Sequence, residues 1–154
     1  MKKVAIIIFS LLVGYPTLVV ARDFPSNGVS VHISYALAGV PIACSYERYV
    51  NVGKAQFGFG AGVTYFLIAP DFSGLFDTSV GPHISASIIL GQGFIRLEAI
   101  LHTSLLVSVD SFDDLLFVPG VNVGVRIGGS EWPFFFRLAL GLPDGVGGAF
   151  GYTF

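Results

Sequence analysis

From Phe94 the chain reads FIRLEAILHTSLLVS, with Arg96, Glu98, His102, Ser104 and Ser108 at even positions and Ile95, Leu97, Ala99, Leu101, Leu105 and Val107 at odd ones. A two-residue period puts one set on each face of a β-strand. Turn signals divide the chain beyond residue 27 into eight such runs, near 28 to 38, 40 to 50, 56 to 69, 78 to 91, 93 to 108, 114 to 128, 132 to 142 and 145 to 154. Several are long enough to cross a bilayer as tilted strands, which takes about ten residues. Helical spacing fits none of them as well.

One face of these runs carries Val29, Val31, Ile33 and Tyr35, then Val63, Tyr65 and Leu67, then Val121, Val123 and Val125, and finally Phe134, Phe136, Leu138, Phe150, Tyr152 and Phe154. The other carries Ser30, His32, Glu47, Gly58, Gly60, Gly62, Thr64, His83, Ser85, Arg96, Glu98, His102, Ser104, Asn122, Arg126 and Arg137. Phe66, Ile89, Ile100 and Phe135 break the rule, and Arg48 falls on the apolar side near a strand end, where a long side chain can snorkel. A water-facing surface would be dense in Lys, Glu and Asp. This polar face is mostly Gly, Ser and Thr with a few charges of both signs, as in the lumen of a small membrane barrel. Turning Arg96 or Arg126 to lipid would cost about 2–4 kcal/mol each near the midplane. The predicted fold is therefore all-β: an eight-stranded antiparallel up-and-down transmembrane β-barrel, closed because an open edge in hydrocarbon leaves backbone groups unpaired.

Composition sharpens this picture. Of the 154 residues 53% are apolar and only 12% charged, half the share of an average soluble domain. A formal charge of −2 excludes the basic field of a nucleic-acid binder. The single Cys44 excludes a disulfide framework or a multi-cysteine metal site, and reads as a small residue on the apolar wall. The N-terminus supplies a compartment: MKK is a positive n-region, VAIIIFSLLVGYPTLVV an apolar h-region, and Val19-Val20-Ala21 a cleavage site. Residues 1–21 are thus expected to be a cleavable signal peptide and 22–154 the barrel domain. Removing Lys2 and Lys3 brings the charge to −4.

At this level the chain resembles the OmpA/OmpX-type eight-stranded outer-membrane proteins of Gram-negative bacteria. The resemblance covers the mature chain as a pattern, and its most specific element is the ending AFGYTF. It implies a bacterial outer-membrane location, with Phe150, Tyr152 and Phe154 as a signal read by the barrel-assembly machinery. It also implies a monomer surrounded by outer-membrane lipids and lipopolysaccharide, both termini periplasmic and NVGKA, GQG and GGSE as inner turns. Asp71, Asp77, Asp110, Asp113, Asp114 and Asp144 then fall at the outer end and Arg48 and Lys54 at the inner one. Polar loops explain the aspartates; a divalent-cation site bridging to lipopolysaccharide phosphates is the sharper alternative. Aromatics flank the band at Trp132, Phe134, Tyr152 and Phe154 on one side, and at Tyr35, Tyr65 and Phe117 on the other.

The GQGF turn, taken as a two-residue loop at Gln92-Gly93, places His83 opposite His102 and Ser87 opposite Glu98. Pairing across 108 to 114 brings Arg126 beside Arg96, diagonal to Glu98. The leading interpretation is a buried polar network of Glu47, His83, Arg96, Glu98, His102, Asn122, Arg126 and Arg137, because charges in a low-dielectric lumen must be paired. A second is a lipid A deacylase-like hydrolase: His102-Thr103-Ser104 is similar to the His and Ser of that family, but Leu105-Leu106-Val107 stands where Asn-Ala-Gly is expected. A third is a metal site at His83, His102 and His32, for which two facing histidines are insufficient. GFGAG at 58–62 has strand spacing and lacks the Lys of a nucleotide loop. The sequence thus predicts a non-enzymatic barrel with a packed polar lumen, no cofactor and no metal, in a structural or surface-interaction role. A narrow pore for small solutes is the remaining alternative.

Overall fold

The computed structural model describes residues 26–36, 39–68, 78–91, 93–109, 115–128 and 132–154. The expected signal peptide, residues 1–21, and Asp71, Asp77, Asp110, Asp113 and Asp114 lie outside them. Eight strands follow one another: β1 (Asn27–Tyr35), β2 (Gly39–Val52), β3 (Ala55–Ile68), β4 (Thr78–Leu90), β5 (Ile95–Ser108), β6 (Leu115–Ile127), β7 (Phe134–Leu142) and β8 (Gly145–Thr153). Each pairs antiparallel with the next, and β1 pairs with β8, so the sheet is a closed up-and-down barrel without a free edge. The seam sets Val31 opposite Phe150, and Asn27 and Phe154 exchange backbone hydrogen bonds of 3.2 and 2.9 Å at the terminal end. The opposite end, called here the loop end, carries the β1–β2, β3–β4, β5–β6 and β7–β8 connections.

The alternation decides which side chains turn inward. Among the described residues sixteen polar or charged residues are buried and only seven hydrophobic ones, while Ile95, Leu97, Leu101, Val123 and Leu138 are each about 60% exposed or more. The barrel is inverted relative to a water-soluble one. Ile89 and Phe135, which break the alternation, are buried in the lumen, and Phe66 and Ile100 line it.

Two inward glycines make room for bulk on the facing strand. At Gly58 a Cβ would lie 3.1 Å from the Tyr49 ring and collide with the Ser87 hydroxyl; at Gly151 it would overlap the Phe135 ring. Gly151→Ala is expected to destabilise the barrel by about 1–3 kcal/mol, the usual cost of overpacking. Urea unfolding in lipid vesicles measures this, and an unchanged midpoint would refute the crowding argument.

The β4–β5 hairpin departs from the expected register. Ser104, not His102, lies opposite His83; His102 faces Ser85, and Glu98 faces Ile89. The slip is two residues. It leaves both faces intact, so hydrophobic pattern alone could not exclude it. The last pair is Leu90 with Leu97, and the Gly128 amide donates to the Phe94 carbonyl at 2.8 Å, continuing the β5–β6 ladder. Gln92, the centre of the expected two-residue turn, lies outside the described residues. Strand β1 also stops at Tyr35 rather than 38, and β7 begins at Phe134, after Pro133, rather than at 132. Arg96 lies opposite Arg126.

Candidate functional site

The lumen has two layers. Near the terminal end, inward positions of four strands converge on a cluster of ions. Arg137 on β7 donates from Nε to Glu98 Oε2 at 2.6 Å and from Nη2 to Glu98 Oε1 at 2.9 Å. The same guanidinium reaches Glu47 on β2, with Nη1 to Oε1 at 3.3 Å and Nη2 to Oε2 at 3.0 Å. Arg126 on β6 lies 3.7 Å from Glu98 and donates to the Tyr49 hydroxyl at 2.9 Å, and that hydroxyl in turn donates to Glu47. Ser30 donates to Glu47 Oε1 at 2.7 Å. Two carboxylates thus face two guanidiniums, and the charge balances.

The cluster is capped by aromatic faces. The Arg126 guanidinium carbon lies 3.7 Å from the Phe135 ring centroid and 4.8 Å from that of Tyr49, and Arg137 lies 5.3 Å from Phe135. Phe135 therefore occupies a polar-face position because cations stack on it. With Arg126 1% and Glu98 2% exposed, this layer is a plug across the barrel. Arg96 donates to the Gly128 carbonyl at 3.0 Å and to Gln56 at 3.4 Å.

Above the plug the lumen is hollow. A cavity of about 470 Å³ runs toward the loop end, with Glu47, Arg137, Ile100 and Ala139 at its floor. Its middle zone is uncharged or internally paired. His83 contacts the hydroxyls of Ser45 at 2.9 Å and Thr64 at 3.2 Å. His102 Nε2 lies 2.9 Å from Asp144, and Asn122 donates to the same carboxylate oxygen at 2.8 Å. Asn122 also sits 3.2 Å from His102 Nε2. A ring nitrogen that donates to Asp144 cannot accept from Asn122, so the amide bond to Asp144 is the one that counts. Burial pushes the Asp144 carboxyl upward, but hydrogen bonds from His102 and Asn122 outweigh it and hold the group below the usual carboxylate range. Toward the loop end the lining turns apolar, with Pro41, Phe66, Leu106, Leu116 and Val118.

Of the residues singled out in the sequence, Glu47, Glu98, Arg126 and Arg137 come together, His102 and Asn122 share one acid, and His83 and Arg96 each have other partners. Sequence reasoning missed three participants. Tyr49 has the same parity as Glu47 two residues before it, a signal that was there to be read. Gln56 is the second residue of β3, directly after the turn at Gly53-Lys54, where alternation has only begun. Asp144 sits in a two-residue turn and is folded back into the lumen, 8% exposed. The expected packed lumen is corrected in part: above the plug lies the cavity of about 470 Å³.

The chemistry available follows from these partners. Ser104 shares a 3.3 Å hydrogen bond with Thr64, while His102 is committed to Asp144. The Ser85 hydroxyl, opposite His102, leans toward Gly60 on the other flank. Among the described residues no group of three His, Cys, Asp or Glu side chains is arranged to hold a metal ion. Phe150, Tyr152 and Phe154 lie on the outer wall, where Phe134 packs 5.7 Å from Phe150 and 5.3 Å from Tyr152. Comparison with protein-family models, curated proteins and solved structures finds no match to this chain, which is therefore described by its architecture: an eight-stranded antiparallel β-barrel.

Proposed function

We propose that the chain is an integral outer-membrane β-barrel of the OmpA/OmpX type, with a structural or surface-interaction role and no free solute path. The observation that carries this reading is the inversion: a wall of exposed Val, Leu, Ile and Phe surrounds a lumen holding Glu47, Glu98, Arg126 and Arg137. Such a surface in water would be an aggregation hazard, whereas lipid solvates it without penalty. Strands of 9 to 14 residues suffice for a tilted crossing of about 9–11. The aromatic cluster of Phe134, Phe136, Phe150, Tyr152 and Phe154 supports an interfacial girdle at the terminal end and an assembly signal at the last strand. On this reading the signal peptide delivers a monomer to the barrel-assembly machinery, and its neighbours are outer-membrane lipids and lipopolysaccharide.

The plug argues for a closed barrel over a pore, and the engagement of His102 Nε2 with Asp144, with Ser104 bonded to Thr64, argues against a hydrolase. Outer-membrane fractionation with heat-modifiable gel migration tests location and fold together; recovery in the soluble fraction would end the proposal. In planar bilayers the wild-type barrel is expected to show no steady conductance, while Arg126→Ala/Arg137→Ala, which leaves a gap between Glu47 and Glu98, is expected to pass small cations. A steady wild-type current would favour the pore.

A further inference from the structure

The two-layer lumen is graded along its axis: balanced ions at the floor, neutral hydrogen-bonding groups in the middle, hydrocarbon toward the loop end. The charged groups on the cavity wall are already satisfied, with Glu47 on Arg137 and Asp144 on His102 and Asn122. The groups left over are uncharged. Neither His32 nor Ser85, both half-buried and facing the cavity, forms a hydrogen bond with another described residue. An ion placed beside them would add an uncompensated buried charge, whereas a hydroxyl or carbonyl would find donors and acceptors. The volume of about 470 Å³ lies within the about 300–1,000 Å³ typical of small-molecule sites.

We propose that this cavity binds one small uncharged amphiphile, its hydroxyl- or ester-bearing head bonded to His32 and Ser85 and its hydrocarbon body against Phe66, Leu106, Leu116 and Val118. The proposal rests on the barrel standing in a bilayer, so folding is checked first by heat-modifiable migration in phosphatidylcholine nanodiscs. Failure at that step would count against the membrane reading, and failure of binding to a folded barrel against this one alone. The probe is 1-decanoylglycerol, compared with decanoate and decyltrimethylammonium of equal chain length, and uptake is read against empty nanodiscs together with the imidazole nitrogen resonance of His32. One saturable site per barrel is expected, with a shifted His32 resonance and both ions binding at least about tenfold more weakly. Ala43→Phe, which fills the cavity, is expected to abolish saturable uptake; Val118→Phe serves if that variant does not fold. Uptake equal to that of empty nanodiscs, equal binding of all three head groups, or full binding by a folded cavity-filled variant would each overturn the proposal.

Discussion

Glu98→Ala is expected to destabilise the folded barrel by about 3–5 kcal/mol, the cost of removing one partner from a buried ion pair. Glu98 is 2% exposed and receives both Nε and Nη2 of Arg137, with Arg126 3.7 Å away. Without it two guanidiniums share Glu47 alone, and a net positive charge remains in a layer where Arg126 is 1% and Arg137 6% exposed. Truncating the cation as well should relieve much of this, so Glu98→Ala/Arg137→Met is expected to be more stable than Glu98→Ala. Urea titration in lipid vesicles, followed by the fluorescence of the single Trp132, measures both. A Glu98→Ala barrel within experimental error of wild type would mean that the plug contributes little to holding the strands together.

Leu101→Arg is the second. Leu101 lies at the middle of β5 on the outer wall, 64% exposed, between Ala86 and Val121 on the neighbouring strands. On a surface facing water such a change falls within about 0.5 kcal/mol of neutral. At a bilayer midplane it costs about 2–4 kcal/mol, falling to about 0–1 near the interfaces. Ile95→Arg, at the strand end, is therefore expected to be mild where Leu101→Arg is severe. Equal, small effects at both positions would show that no hydrocarbon surrounds the barrel.

The wall was readable in the sequence because it depends on parity alone. Val29, Val31 and Ile33, or Phe134, Phe136 and Leu138, alternate with residues that cannot share their environment, and a one-residue error would exchange the faces. The rule-breakers were readable only as exceptions: that Phe135 belongs inside follows from the guanidiniums stacked on it, which come from β6 and from β7 itself. A shift of two residues between β4 and β5 leaves every face unchanged, so parity does not distinguish His102 from Ser104 as the partner of His83.

The order of strands, the inward and outward sets, and the burial of Glu98 beside Arg126 follow from the sequence itself, since a period of two and the cost of an unpaired ion act locally or between neighbouring strands. Which carboxylate Arg137 grips across the axis, the return of Asp144 from its turn to His102, and the division of the lumen into plug and cavity were decided by closure alone. Those contacts join residues far apart in the chain, and their distances exist only once β1 has met β8.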